Sequence, residues 1–174
     1  MASFEDQPNR RWLSIVGIGE DGADGLGVAA RALVERADLV FGGQRHLRLA
    51  ADLIHGTPCP WPSPFSIAGV LEARGRNVCV LASGDPLQGA VGSTLARHVP
   101  AVEMMVIPAP SAFSLAAARL GWPLSDTVTL SLHGKPLDLI RPWLHPGARL
   151  LALTSDGAAP GGLARLLTEA GFGT

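Results

Sequence analysis

Two glycine-bearing segments have the residue types to hold a ligand, and neither brings a nucleophile of its own. The first, Gly17-Ile18-Gly19-Glu20-Asp21-Gly22, places Gly17, Gly19 and Gly22 at G-x-G-x-x-G spacing directly after an apolar run. That spacing suits a backbone approaching a nucleotide phosphate, the third glycine opening a helix whose free N–H groups hold the anion. Against a dinucleotide, Ala23-Asp24-Gly25 follows Gly22 and delays the helix. The acidic residue expected at the end of the second strand is also missing, because Asp38 precedes that strand and Phe41-Gly42-Gly43 ends it. A turn whose glycines serve backbone geometry alone is the competing reading. The second segment, Ser83-Gly84-Asp85-Pro86-Leu87-Gln88-Gly89, lies just past the third strand pattern, where open α/β sheets bind their ligands. Gly84 and Gly89 permit close approach, Pro86 stiffens the bend, and the Asp85 carboxylate is placed to cap the next helix or face a charged ligand. A plain Asp-Pro turn is the alternative.

Other chemistries lack their groups. The sequence has no G-x-S-x-G elbow, no P-loop lysine and no H-E-x-x-H, so hydrolase and NTPase readings fail. Cys59 and Cys79 are isolated, and His46, His55, His98, His133 and His145 show no ligand spacing, so neither a metal site nor a disulfide framework is expected. Cys79, inside the apolar run 78–82, reads as a packed, inert thiol.

Short apolar runs bounded by Gly and Pro alternate with helical patterns, which predicts an α/β fold with a mostly parallel sheet. Strands are expected at Trp12–Val16, Leu39–Phe41, Val78–Ala82 and Val102–Ile107, then at Val128–Leu132 and Leu150–Thr154. Leu26, Ala29, Ala30, Leu33, Val34 and Ala37 share one helical face. Further helices are expected over 44–54, 67–73, 89–97, 111–120 and around Leu163, Leu166, Leu167 and Ala170. Pro58, Pro60, Pro62 and Pro64 around Trp61 exclude helix and central strand, so that stretch is expected to be loop. Pro108-Ala109-Pro110 is a stiff connector before a helix that Ser111 can cap, which sets the expected boundary between an N-terminal lobe, 1–110, and a short second lobe, 111–174.

The 174 residues carry a formal net charge of −1 with Lys and Arg scattered, so no basic stripe for nucleic acid exists. No run approaches the roughly twenty apolar residues that span a bilayer, and the polar stretch Met1–Arg11 has no apolar leader core; a cytoplasmic protein with no membrane partner is expected.

Taken in order, VGIGEDG, ADLVFGGQRHL, LASGDPLQGAVG, IPAPSAFSLAAARLGWP, LSLHGKP and LLALTSDG resemble the tetrapyrrole methylases, most of all the group that methylates precorrin-6Y at C5 and C15. The likeness runs from Trp12 to Gly171. It implies two α/β lobes, S-adenosylmethionine as methyl donor, a precorrin substrate or its cobalt form, and a homodimer. It also implies C5 methylation in cobalamin biosynthesis, with a separate C-terminal methyltransferase and decarboxylase domain doing the rest. By position, the resemblance assigns Ser83, Gly84, Asp85, Pro86 and Leu87 to the cofactor loop, Ser111 and Ala112 to the methionine part, and Leu132, His133, Leu153 and Thr154 to adenosine. Gly17, Gly19, Asp21 and Gly22 fall on the floor of the substrate trough, and Asp85 is the one catalytic candidate. Family members extend further in the second lobe, so the chain is expected to be a piece of a longer enzyme or a shortened relative. The competing function is a non-catalytic tetrapyrrole- or nucleotide-binding module.

Overall fold

A computed structural model of the chain describes residues 11–173; the N-terminal stretch read above as lacking a leader lies, up to Arg10, outside the described residues. The chain divides into two compact units, 1–111 and 112–174.

In the first unit strand and helix alternate: β1 (Leu13–Ile18), α1 (Val28–Glu35), β2 (Leu39–Gly42), α2 (Gln44–Leu49), β3 (Thr57–Pro60), α3 (Ala68–Glu72), β4 (Val78–Ser83), α4 (Val91–Leu95) and β5 (Met104–Ile107). The five strands pair in parallel in the order β3-β2-β4-β1-β5. Parallel strands need crossover helices, which cover the sheet and make its central strands apolar on both faces. The period of two along each strand divides the core. Val16 and Ile18 of β1 join Cys79 and Leu81 of β4 under α1 and α2. Leu13 and Ile15 join Val78 and Val80 on the opposite face with Val70 and Leu95. At the strand N-termini, Glu103 accepts a hydrogen bond from Trp12 Nε1 at 2.7 Å and pairs with Arg74, tying the start of β1 to the entry of β5.

The proline-rich stretch departs from expectation. Thr57–Pro60 is a strand, not loop, and it forms the sheet edge against β2. Thr57 N–H donates to Asp38 O at 2.9 Å and Trp61 N–H to Gly42 O at 3.2 Å, so odd-numbered donors face β2. Pro58 and Pro60 fall on the outward parity, where a missing N–H costs no ladder bond; proline is tolerated on an edge for that reason.

The second unit comprises α5 (Ala112–Leu120), β6 (Val128–Ser131), β7 (Leu150–Leu153) and α6 (Ala159–Glu169). β6 and β7 form a two-stranded parallel sheet, joined through a 3-10 segment, Leu137–Trp143, that the apolar pattern does not announce. Leu132, Ile140 and Leu166 are its buried centre, and Arg149 stacks over the Trp122 ring at 5.6 Å.

Candidate functional site

Because all five strands of the first unit are parallel, the turns that follow them emerge at one end of the sheet, the end at which open α/β folds bind ligands. Three of these turns lock together through backbone. Gly84 N–H donates to Ile18 O at 3.1 Å, and Ala109 N–H donates to Gly84 O at 3.1 Å. Gly17 lies under this junction, where a Cβ would sit 2.0 Å from Gly84 O and 2.5 Å from Ala109 N. Gly84 itself has φ +57°, and a Cβ on it would approach Pro110 O to 3.0 Å and Ser111 Cα to 3.2 Å. The glycines at 17 and 84 are thus required by the approach of β1, the Ser83–Leu87 loop and the 108–111 connector to one another.

The Ser83–Leu87 loop is held from within. Asp85 Oδ1 accepts from Leu87 N–H at 2.9 Å, and Gln88 N–H donates to Asp85 O at 3.1 Å. Ser93 of α4 donates its hydroxyl to Leu87 O at 2.6 Å, while Pro86 is fully buried. One carboxylate oxygen of Asp85 therefore caps its own turn, the structural half of the alternative left open by the sequence. Leu87 stands 51% exposed and Ser83 is exposed too, an apolar and a polar residue on one loop.

In the first-strand turn the Asp21 carboxylate folds back over its own backbone: a Cβ at Gly19 would meet Asp21 Oδ1 at 2.6 Å, and one at Gly25 would meet Oδ2 at 2.0 Å. Gly22 N–H closes the turn on Gly19 O at 3.2 Å, and a 3-10 turn, Gly22–Gly25, intervenes before α1. No α-helix begins at Gly22, and α1 starts only at Val28, so the helix N-terminus a bound pyrophosphate needs is not at this turn.

Of the residues expected to contact the donor, Ala112, Leu132, His133, Leu153 and Thr154 belong to the second unit and Ser111 ends the first. Ala112 opens α5, and the ends of β6 and β7 lie side by side with Leu132 N–H donating to Leu153 O at 2.8 Å. Leu132 is 2% exposed in that unit's core, and its carbonyl accepts from Lys135 N–H at 3.1 Å, so both its main-chain groups are used within the unit; His133 is exposed and Thr154 half-buried.

Two features of the first unit's site are not assigned by sequence reading. His46, in the FGGQRHL segment, places Nε2 2.7 Å from Ser83 Oγ. Burial, and secondarily the Arg45 guanidinium, push its imidazole below the usual histidine range. Phe41 of β2 and Trp61, just past β3, stack their rings at 5.8 Å, and Phe65 meets Trp61 edge-on at 5.2 Å. The signal for both was residue type beside a strand end; their partners lie 20 to 37 positions away. A cavity of about 360 Å³ opens at the opposite, N-terminal end of the strands, between Arg11, Ser14, Arg36 and Asn77.

With a parallel five-stranded first sheet and a smaller second α/β unit, the chain matches the Tetrapyrrole (Corrin/Porphyrin) Methylases over residues 13–174 and belongs to that family. Within it, the chain is 56% identical over 164 residues to precorrin-6Y C(5,15)-methyltransferase [decarboxylating] of Sinorhizobium sp, covering 93% of this chain and 40% of that protein. It is 30% identical over 173 residues to cobalt-precorrin-7 C(5)-methyltransferase of Salmonella typhimurium, covering 92% of this chain and 80% of that one. Among solved structures it is similar to the cobalamin biosynthesis precorrin-6Y methylase of Archaeoglobus fulgidus, with a TM-score of 0.62 and 28% identity over 82% of this chain and 72% of the other. The chain thus spans 40% of the length of its Sinorhizobium relative.

Proposed function

We propose that the chain binds S-adenosylmethionine and transfers its methyl group to C5 of a precorrin-6Y ring, or of its cobalt form, in cobalamin biosynthesis. The observation that carries this reading is the junction of Gly17, Gly84 and Ala109, which fixes three strand-end turns as one rigid surface in a member of the methylase family. Bound S-adenosylmethionine supplies a methyl group already activated by its sulfonium charge, so the chain needs no nucleophile. The absence of elbow, P-loop and zinc motifs from the sequence accords with that.

What the residues do is bind and orient. Gly84, with no side chain and its backbone pinned to Ile18 and Ala109, lets the loop approach the cofactor closely, while Ser83 and Leu87 present a hydroxyl and an apolar contact. Asp85 holds the loop shape through Leu87 N–H and remains the one carboxylate in this loop for positioning the cofactor or taking up the ring proton. Ser111 and Ala112 fall beside the methionine part, and Leu132, His133, Leu153 and Thr154 beside adenosine. Gly17, Gly19, Asp21 and Gly22 underlie the tetrapyrrole. Fixing two reactants at near-attack distance contributes roughly 7–11 kcal/mol, which makes loop geometry the main source of rate. We further infer a cytoplasmic homodimer acting with a C-terminal methyltransferase and decarboxylase domain, in accord with the greater length of the Sinorhizobium relative.

The test is calorimetric titration of the chain with S-adenosylhomocysteine, the product analogue, which needs no unstable corrin. One-to-one binding that a Gly84→Val variant loses is expected, since valine at φ +57° would strain the turn and press on Pro110 O. A folded chain that does not bind would be a module without a donor site, and binding indifferent to Gly84→Val would move the site off this loop.

A further inference from the structure

His46 stands on α2, and Ser83 is the last residue of β4. Strand parity puts Ser83 on the same sheet face as Cys79 and Leu81, the face α2 covers, so a side chain from α2 can reach it. The Ser83 backbone is registered against Ile18 of β1, and its hydroxyl meets His46 Nε2 at 2.7 Å. The other ring nitrogen, Nδ1, is buried with no hydrogen-bond partner. It lies over the Gly42-Gly43 backbone, where a Cβ on Gly43 would stand 3.6 Å away.

That orphaned nitrogen decides the direction of the bond. A buried N–H without an acceptor is rarer in folded proteins than an under-used acceptor. The ring hydrogen therefore belongs on Nε2, which donates to Ser83 Oγ. A hydroxyl that accepts through its oxygen has its own hydrogen free, and Ser83 is exposed. The hydrogen then points away from the histidine, off the end of the sheet.

We propose that His46 is a positioning residue that turns the Ser83 hydroxyl outward as a donor to a carboxylate of the bound ligands. The inference rests on the reading of Ser83–Leu87 as the cofactor loop. Two sources offer that carboxylate: the methionine portion of the donor and the acid side chains of the ring. The low basicity of the ring, from burial and from Arg45, agrees with this geometry, since a second proton would have to go on the unpartnered Nδ1.

The experiment is a double-mutant cycle on the whole chain, with His46→Ala, Ser83→Ala and the pair, titrated separately with S-adenosylhomocysteine and with cobyrinic acid, a soluble corrin carrying free carboxylates. Circular dichroism confirms the fold of each variant. Each single change is expected to weaken one ligand by roughly 5–20-fold, the loss of one hydrogen bond to a charged group, and the double variant no more than either single. His46→Gln, whose side-chain amide N–H can replace Nε2–H, should recover most of the affinity, which a merely structural role for the ring would not give. Loss confined to S-adenosylhomocysteine identifies the donor's carboxylate, and loss confined to cobyrinic acid identifies the ring's. Additive losses, or no loss with either ligand, overturn the proposal. Gly84→Val separates the two failures. If it abolishes S-adenosylhomocysteine binding while the His46 variants bind both ligands normally, only the present inference fails; if it leaves binding intact, the loop reading fails first.

Discussion

Gly17→Ala is the smallest change that should open the site, because φ at Gly17 is not positive and the whole penalty is one of space. The added Cβ would lie 2.0 Å from Gly84 O, whereas ordinary contact begins near roughly 3.5 Å, so that carbonyl must retreat by more than 1 Å. Such a shift breaks the Ala109 N–H to Gly84 O bond. Leaving those groups unpaired costs about 1–3 kcal/mol. Overpacking the end of β1 adds a further 1–3 kcal/mol or so. At about 2–4 °C per kcal/mol for a chain of this size, a total of about 2–6 kcal/mol should lower the melting temperature by about 4–24 °C, read by scanning calorimetry. Binding of S-adenosylhomocysteine should fall with it, since the same carbonyl fixes the Ser83–Leu87 loop. Gly161→Ala is the control: that glycine lies in α6 with nothing within 4 Å of its Cβ position. It should gain about 0.5–1 kcal/mol from reduced backbone freedom in the unfolded chain. A Gly17→Ala chain that melts within a degree or so of the parent and binds as well would refute the junction as the organising contact.

Other expectations follow from the titrating groups. The His46 imidazole is less basic folded than unfolded, so its neutral form contributes stability in full above the unfolded value of about 6.5, lost as pH falls through that value towards the folded one. Denaturant melts of the parent should weaken between about pH 7.5 and 5 more steeply than those of His46→Gln; parallel slopes would contradict the assignment. Arg45 beside the ring, itself paired with Glu20, acts in the same direction as burial, and Ser83 across from it carries no charge. Burial pushes the Cys79 thiol up to about 12, and raises the Cys59 thiol against the opposing pull of Arg76. A disulfide reagent at about pH 8 should therefore modify Cys59 slowly in the native chain and reach Cys79 only after unfolding; two thiols reacting natively would be inconsistent with the packed β4.

How much was legible in the sequence depended on whether a signal was local. β1, β2 and β4 are apolar on both faces, and such runs between helical patterns identify central parallel strands without any partner in view. β3 was not legible, because its two prolines obey the edge rule only once β2 is known to lie on one side. The 3-10 segment Leu137–Trp143 carries a proline at 142 and no clear period, so pattern reading passes over it. At the site, glycine spacing marked where backbone comes close but not what it comes close to: Gly17 meets residues 67 and 92 positions away. The FGGQRHL segment suggested nothing for His46 until Ser83 lay beside it.

C5 methylation by this chain can be read by incubating the purified chain with enzymatically prepared precorrin-6Y and S-adenosylmethionine carrying an isotope-labelled methyl group. One labelled methyl on C5, with C15 untouched and no carbon dioxide released, is the predicted product. Label on another carbon, or no transfer by a chain that binds S-adenosylhomocysteine, would rule out C5 methylation by this chain.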